Sequence, residues 1–159
     1  MRQKGFTLVE LLVAIGIIGI LSSIAVVSVS NVRAKARDAK RIGDIKQIQS
    51  AMESYFNDQN QYPDAPAGGV LGTKDATDGL CVSTADPAKV GFQKGTDCAG
   101  GTIYINPVPK GPTPGVAGKT DYAYSVVNGE YVIKFSLESG SGTLVKGSYK
   151  ATPNGIITE

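Results

Sequence analysis

The 159-residue chain holds few residues of the types that do chemistry. It has no histidine, which removes the commonest general base and the commonest metal ligand, and no nucleophile–base pair is legible. Catalysis is therefore not expected. Cys81 and Cys98 are its two cysteines. They read as a disulfide if this part of the chain is exported, or as two free thiols in a reducing setting; without histidine they fall short of a zinc set. Acids cluster in KDATDG (74–79), with Asp86, Asp97 and Asp121 further on. Calcium stays open as a ligand, but the oxygens show no regular spacing and none is assigned to it. The remaining candidate is one carboxylate, Glu10, inside KGFTLVELLVAIGIIGI (4–20).

Glu10 stands at the mouth of an apolar run. Leu11 to Val29 gives about 19 residues without a charge, close to the ~20 needed to cross a bilayer as a helix. Arg2 and Lys4 precede the run, and Arg33, Lys35, Arg37, Lys40 and Arg41 follow it. One reading is a secretory signal peptide, with Ser23 and Ala25 spaced for cleavage after Ala25. Another is a plain membrane anchor. Neither accounts for Glu10, whose charge costs up to about 3 kcal/mol if carried into hydrocarbon. A local role does exist. Thr7 and Glu10 fit a capping box, with Phe6 and Leu11 placed for a hydrophobic staple, but glutamine at position 10 would cap as well.

The same stretch, KGFTLVELLVAIGIIGIL, resembles the class III signal of type IV pilins and type II secretion pseudopilins. That pattern is a short basic leader ending in glycine, then phenylalanine, a Thr-Leu pair and a glutamate fifth in the mature chain. The resemblance covers about 25 residues and is highly specific. It implies prepilin cleavage between Gly5 and Phe6, N-methylation of Phe6, and an assembly role for Glu10, which would attract the new amine of a neighbouring subunit. Opposite charges attract far more strongly in a low-dielectric setting than in water, and such a pair can set register between greasy helices. Loss of the leader, with Arg2 and Lys4, takes the formal charge from +2 to zero.

The resemblance also decides orientation. Counting positives alone puts the flank after the apolar run inside the cell. Family precursors insert the other way, with the leader in the cytoplasm, and the motif outweighs the count. One departure is the absence of the family's usual proline, whose place Val27 takes. Gly16, Gly19 and Ser23 remain as small residues that soften the helix or let a neighbour approach.

These residues need elements to position them. Ile42, Ile45, Ile48, Met52, Tyr55 and Phe56 recur at three- and four-residue steps, opposite Asp44, Lys46, Gln47, Gln49, Ser50 and Glu53. The pattern predicts one helix from Thr7 to about Asn57, ended by Asn60 and Pro63. Such a helix spans about 75 Å at ~1.5 Å per residue, too long for a small globule, so its inner half needs lipid or other subunits. The basic stretch 33–41 reads as a solvated helical face, with lipid head groups as the alternative.

Residues 59–120 read as a variable loop region carrying Cys81 and Cys98, with GTIYIN (101–106) as its one strand. Residues 121–159 read as an antiparallel sheet. YAYSVV and EYVIKFSLE flank Asn128-Gly129, a type I′ hairpin signal, and GTLVKGSYKA follows. Tyr122, Tyr124, Val126, Tyr131, Ile133, Phe135 and Leu137 alternate onto faces that the Ile42–Phe56 stripe can cover.

The expected fold is α+β and pilin-like: a long N-terminal helix, its inner half transmembrane (6–30) and its outer half amphipathic (31–58), packed on a C-terminal antiparallel β-sheet. Residues 1–5 are the leader. The expected function is a structural subunit of a type IV pilus-like or type II secretion pseudopilus filament. The alternative is a singly anchored or secreted binding module that uses the loop and sheet. Expected partners are copies of the chain, related pilins, a prepilin peptidase, an inner-membrane assembly platform and the membrane, with nucleic acid not a main ligand. The expected location is the inner membrane, single-pass, then a surface or periplasmic filament.

Overall fold

The computed structural model describes residues 5–74, 76–84, 90–98, 100–116 and 122–159, without the side chains of residues 25–27 and 67. Arg2, Lys4, Asp75, Asp86, Asp121 and the side chains at Ala25 and Val27, which figure in the readings above, lie outside the described residues. One helix, α1 (Leu8–Gln59), runs for 52 residues, about 78 Å at ~1.5 Å each. Thr7 caps its start. Asn60 closes its end in the left-handed conformation (φ 54°), its N–H returning to the Phe56 carbonyl.

The outer half of α1 packs on an antiparallel sheet of β4 (Ala123–Val127), β5 (Glu130–Ser141), β6 (Leu144–Thr152) and β7 (Gly155–Thr158), in that order, after three short strands described below. Asn128 and Gly129, both at positive φ (54° and 82°), join β4 to β5 as a type I′ turn requires. The helix buries Ile45, Ile48, Met52 and Tyr55 against Tyr124, Tyr131, Ile133, Phe135, Leu137, Tyr149 and Ala151. The periods of 3.6 and 2 thus meet in one apolar layer. Phe56, the last residue of the stripe, stays partly exposed.

Tyrosines dominate this core because each offers a large apolar ring with a polar tip that needs a partner. Tyr122 donates to Asp44 (2.8 Å) and Tyr124 to the Pro63 carbonyl (2.6 Å). Burial pushes both hydroxyls up, further in Tyr122 through the Asp44 carboxylate. Tyr131 and Tyr62 are pushed up to about 12, again by burial first. All four remain neutral at ordinary pH, Tyr131 accepting from Gln49 Nε2.

Where α1 leaves the sheet, its charges are inside. Asp38 is 0% exposed and Arg41 3%. The Asp38 carboxylate accepts the backbone N–H groups of Glu138 (2.9 Å), Ser139 (2.7 Å) and Gly140 (2.8 Å), and Arg41 Nη1 (2.8 Å). Arg41 also meets Glu138 (2.8 Å) and the Pro114 carbonyl (3.1 Å), and Arg37 Nε donates to Glu138 (2.8 Å). The expected solvated face at 33–41 is therefore corrected for Arg37, Asp38 and Arg41. Side-chain spacing could not show that β5 ends in three backbone donors aimed at position 38. Burial alone would raise the Asp38 carboxyl, but the three N–H groups and Arg41 bring it below its usual range. Arg37 first, then Arg41, hold Glu138 below its range against burial.

The middle region departs from the expected loop with one strand. It holds β1 (Gly79–Val82), β2 (Val90–Gln93) and β3 (Thr102–Ile105), an antiparallel sheet in the order β2-β1-β3. Each strand has four residues, too few for alternation to stand out among glycine and proline. A disulfide joins Cys81, in β1, to Cys98. Gly101 is held so close to the Val82 carbonyl that a Cβ there has no room. Leu71, Leu80, Ile105 and Val108 carry this unit into the main core. The expected sheet also gains a fourth strand, the short β7, which follows the Pro153-Asn154 turn.

Two outcomes follow. Replacing both cysteines by serine lowers the stability of the head by about 3 kcal/mol in denaturant unfolding, the loop-closure value for a separation of 17 residues. The depressed carboxyls of Asp38 and Glu138 stabilise the fold fully above their unfolded values, near pH 4. That contribution is lost as pH falls through their lower folded values. Asp38→Asn therefore lowers stability at neutral pH and gives a shallower acid limb in unfolding midpoint against pH; an unchanged limb would contradict the assignment.

Candidate functional site

The N-terminal stretch is built as a capped helix start on an apolar rod. Thr7 sits in extended conformation (ψ 152°), so its side chain turns back over the first turn. The Glu10 N–H donates to Thr7 Oγ1 at 3.2 Å. In return the Thr7 N–H and hydroxyl both donate to the Glu10 carboxylate, at 2.9 and 2.6 Å. Both arms of the capping box are therefore present, and they place an anion in the first helical turn, where the helix dipole favours it. Among the described residues, Thr7 is the recorded hydrogen-bond partner of that carboxylate, and no recorded cation neutralises it.

Everything around this charge is apolar and uncovered. Phe6 is 85% exposed, and Leu8, Leu11, Leu12, Ile15, Ile18, Leu21 and Ile24 stand out from the rod. The most apolar 18-residue window of α1 has a mean hydropathy of 2.6, none of it buried within the chain. A continuous exposed surface of this kind belongs in lipid or against other proteins. Gly16 and Gly19 have open space where a Cβ would stand, so neither is required by contacts within the chain.

The sequence-derived site residues therefore fall in two places. Gly5, Phe6 and Glu10 come together at the free end of α1, with Phe6 and Glu10 exposed. Cys81 and Cys98 lie in the head and are buried. No group of three or more metal-ligating side chains occurs among the described residues. What sequence reasoning missed is the charged joint of Arg37, Asp38, Arg41 and Glu138. Its one sequence signal was an acid placed among five bases.

Comparison with known proteins agrees with this geometry. A family profile for the prokaryotic N-terminal methylation motif matches residues 1–26. The type II secretion system core protein G of Aeromonas hydrophila is 32% identical over 138 residues, covering 81% of this chain and 86% of that protein. The protein of the same name from Pectobacterium carotovorum is 40% identical over 67 residues, a match spanning 43% of its length. The type IV major pilin protein PilA of Myxococcus xanthus is 33% identical over 63 residues, 40% of this chain and 29% of the pilin. No solved structure matches. With the capped apolar rod, the sheet-backed head and a relative similar over most of both chains, this chain belongs to the type IV pilin and type II secretion pseudopilin family of filament subunits.

Proposed function

We propose that the chain is made as a prepilin, cut between Gly5 and Phe6, methylated at the new Phe6 amine, and assembled through α1 into a pilus-like or pseudopilus filament. The observation that carries this reading is Glu10. It is an anion held in place by Thr7, with no cation paired to it among the described residues, on a rod whose most apolar stretch finds no cover in its own chain. Cleavage creates a positive amine four residues away in sequence. In a bundle of such rods that amine reaches the Glu10 of a neighbour, and the low dielectric around it strengthens the attraction. A misregistered rod leaves both charges unpaired, so the pair selects one stagger.

Before assembly the rod spans the inner membrane, with the leader on the cytoplasmic side and the head outside. A prepilin peptidase removes the leader, and an inner-membrane platform passes the subunit to copies of itself and related pilins. The role is structural, without catalysis. The capping box and the charge pair are compatible uses of one carboxylate, since Thr7 occupies it from the side of its own chain.

Mass analysis of the mature N-terminus is expected to find N-methylated Phe6; a chain beginning at Val26 would mean ordinary signal cleavage and would sink this reading. Glu10→Gln is expected to be processed normally and to retain its helix cap, yet to give about a tenth or less of the normal filament yield in sheared surface fractions, the loss of one desolvated charge pair. Normal assembly of that variant would leave Glu10 as a cap alone.

A further inference from the structure

The tip of the β5–β6 hairpin stands beside α1 at the level where the apolar rod ends. β5 runs antiparallel to the helix. Tyr131 lies by Gln49, and Glu138 to Gly140 lie by Asp38, so the residues beyond Gly140 reach back toward the membrane end. There Lys35, Gly142, Leu144 and Val145 line one open groove. Val145 is 70% exposed. Arg33, Lys35 and Lys146 are also exposed, and none has a recorded ion pair among the described residues.

The rod sets the height of this tip. From Leu8 to Val32 its exposed apolar surface spans about 37 Å, against ~30 Å of hydrocarbon and ~40–45 Å including head groups. Val32 then lies in the head-group layer, and Lys35 one turn further at its outer edge. The Asp38 clamp on three successive N–H groups of β5 fixes the hairpin to the helix, so the tip cannot drift from that level. An exposed valine alone is ordinary on a surface. One that shares a groove with Lys35 at the head-group level is placed to be used.

We propose that the β5–β6 tip, through Val145 with Arg33, Lys35 and Lys146, rests the head of the unassembled subunit on the anionic lipid surface of the membrane that α1 spans. This rests on the spanning reading above. The contact is continuous with the rod's lipid-facing surface, and the three cations meet lipid phosphates where no protein acid meets them. Val145, beside Lys35 at the outer edge of the head-group layer, adds an apolar contact there. The contact orients the head on the membrane and is surrendered when the subunit leaves for the filament.

The chain contains no tryptophan, so single reporters are clean. Three variants of the mature full-length chain, Val145→Trp, Val127→Trp and Leu21→Trp, would be reconstituted in vesicles of phosphatidylcholine with or without phosphatidylglycerol. Brominated lipids then report depth. Val127 is 54% exposed and lies at the far end of β5's hairpin partner, and Leu21 is 61% exposed mid-rod. Expected is emission from Val145→Trp to the blue of Val127→Trp, with at least about twofold stronger quenching by shallow bromine in anionic vesicles. Adding Arg33→Gln, Lys35→Gln and Lys146→Gln is expected to reduce that difference. Equal emission and quenching at 145 and 127, with deep quenching retained at 21, overturns this proposal alone. Absence of quenching at 21 overturns the spanning reading and this proposal with it. Protection at 145 only in assembled filaments also overturns it, assigning the tip to a neighbouring subunit.

Discussion

The constraint on which this molecule depends is the disproportion between one helix and the sheet that can cover it. α1 has 52 residues, and the sheet covers it only from about Asp38 onward. A helix buries apolar surface only where something lies against it, so the inner residues stay uncovered however well the head folds. The unsatisfied rod is therefore a requirement on the surroundings. Lipid or neighbouring rods can meet it, and on the function proposed above the carboxylate at position 10 makes the second arrangement selective.

The joint between covered and uncovered halves is electrostatic. Asp38 is buried without strain because three backbone donors and Arg41 replace the water it loses. A hydrophobic residue there would gain area but would not recognise three consecutive N–H groups at a strand end. The charge makes the position of β5 on α1 specific, and Arg41, bonding the Pro112 and Pro114 carbonyls, carries the same specificity to the loop opposite. Rod and head thus keep one relative position.

The head solves a different problem. With no tryptophan and few phenylalanines, it builds its core from tyrosines whose hydroxyls reach acids, carbonyls and a glutamine. The rings of Tyr122, Tyr124 and Tyr131 fill volume while their tips end on partners, and no buried side-chain polar atom is orphaned among the described residues. The disulfide performs a comparable service for the small three-stranded sheet, whose four-residue strands have little cooperative pairing of their own.

Local patterns were legible where they repeat. The Ile45–Tyr55 stripe, the Asn128-Gly129 turn, the alternation of Tyr131 to Leu137 and the Thr7–Glu10 cap all act between residues close in sequence, so spacing alone exposes them. The N-terminal motif pointed to the family for the same reason: it is a short contiguous segment, matched by the methylation-motif profile over residues 1–26. By itself, then, the sequence determined the capped apolar rod, the stripe that seats it and the strands β4 to β6. Tertiary structure alone decided that Arg37, Asp38 and Arg41 turn inward, that β1–β3 form a sheet around Cys81–Cys98, and that the β5–β6 tip lies beside α1 where its uncovered half begins. Each of these depends on partners some 10 to 100 residues apart, such as Asp38 with Gly140, whose meeting is set by chain topology and the demand that buried charge be paired.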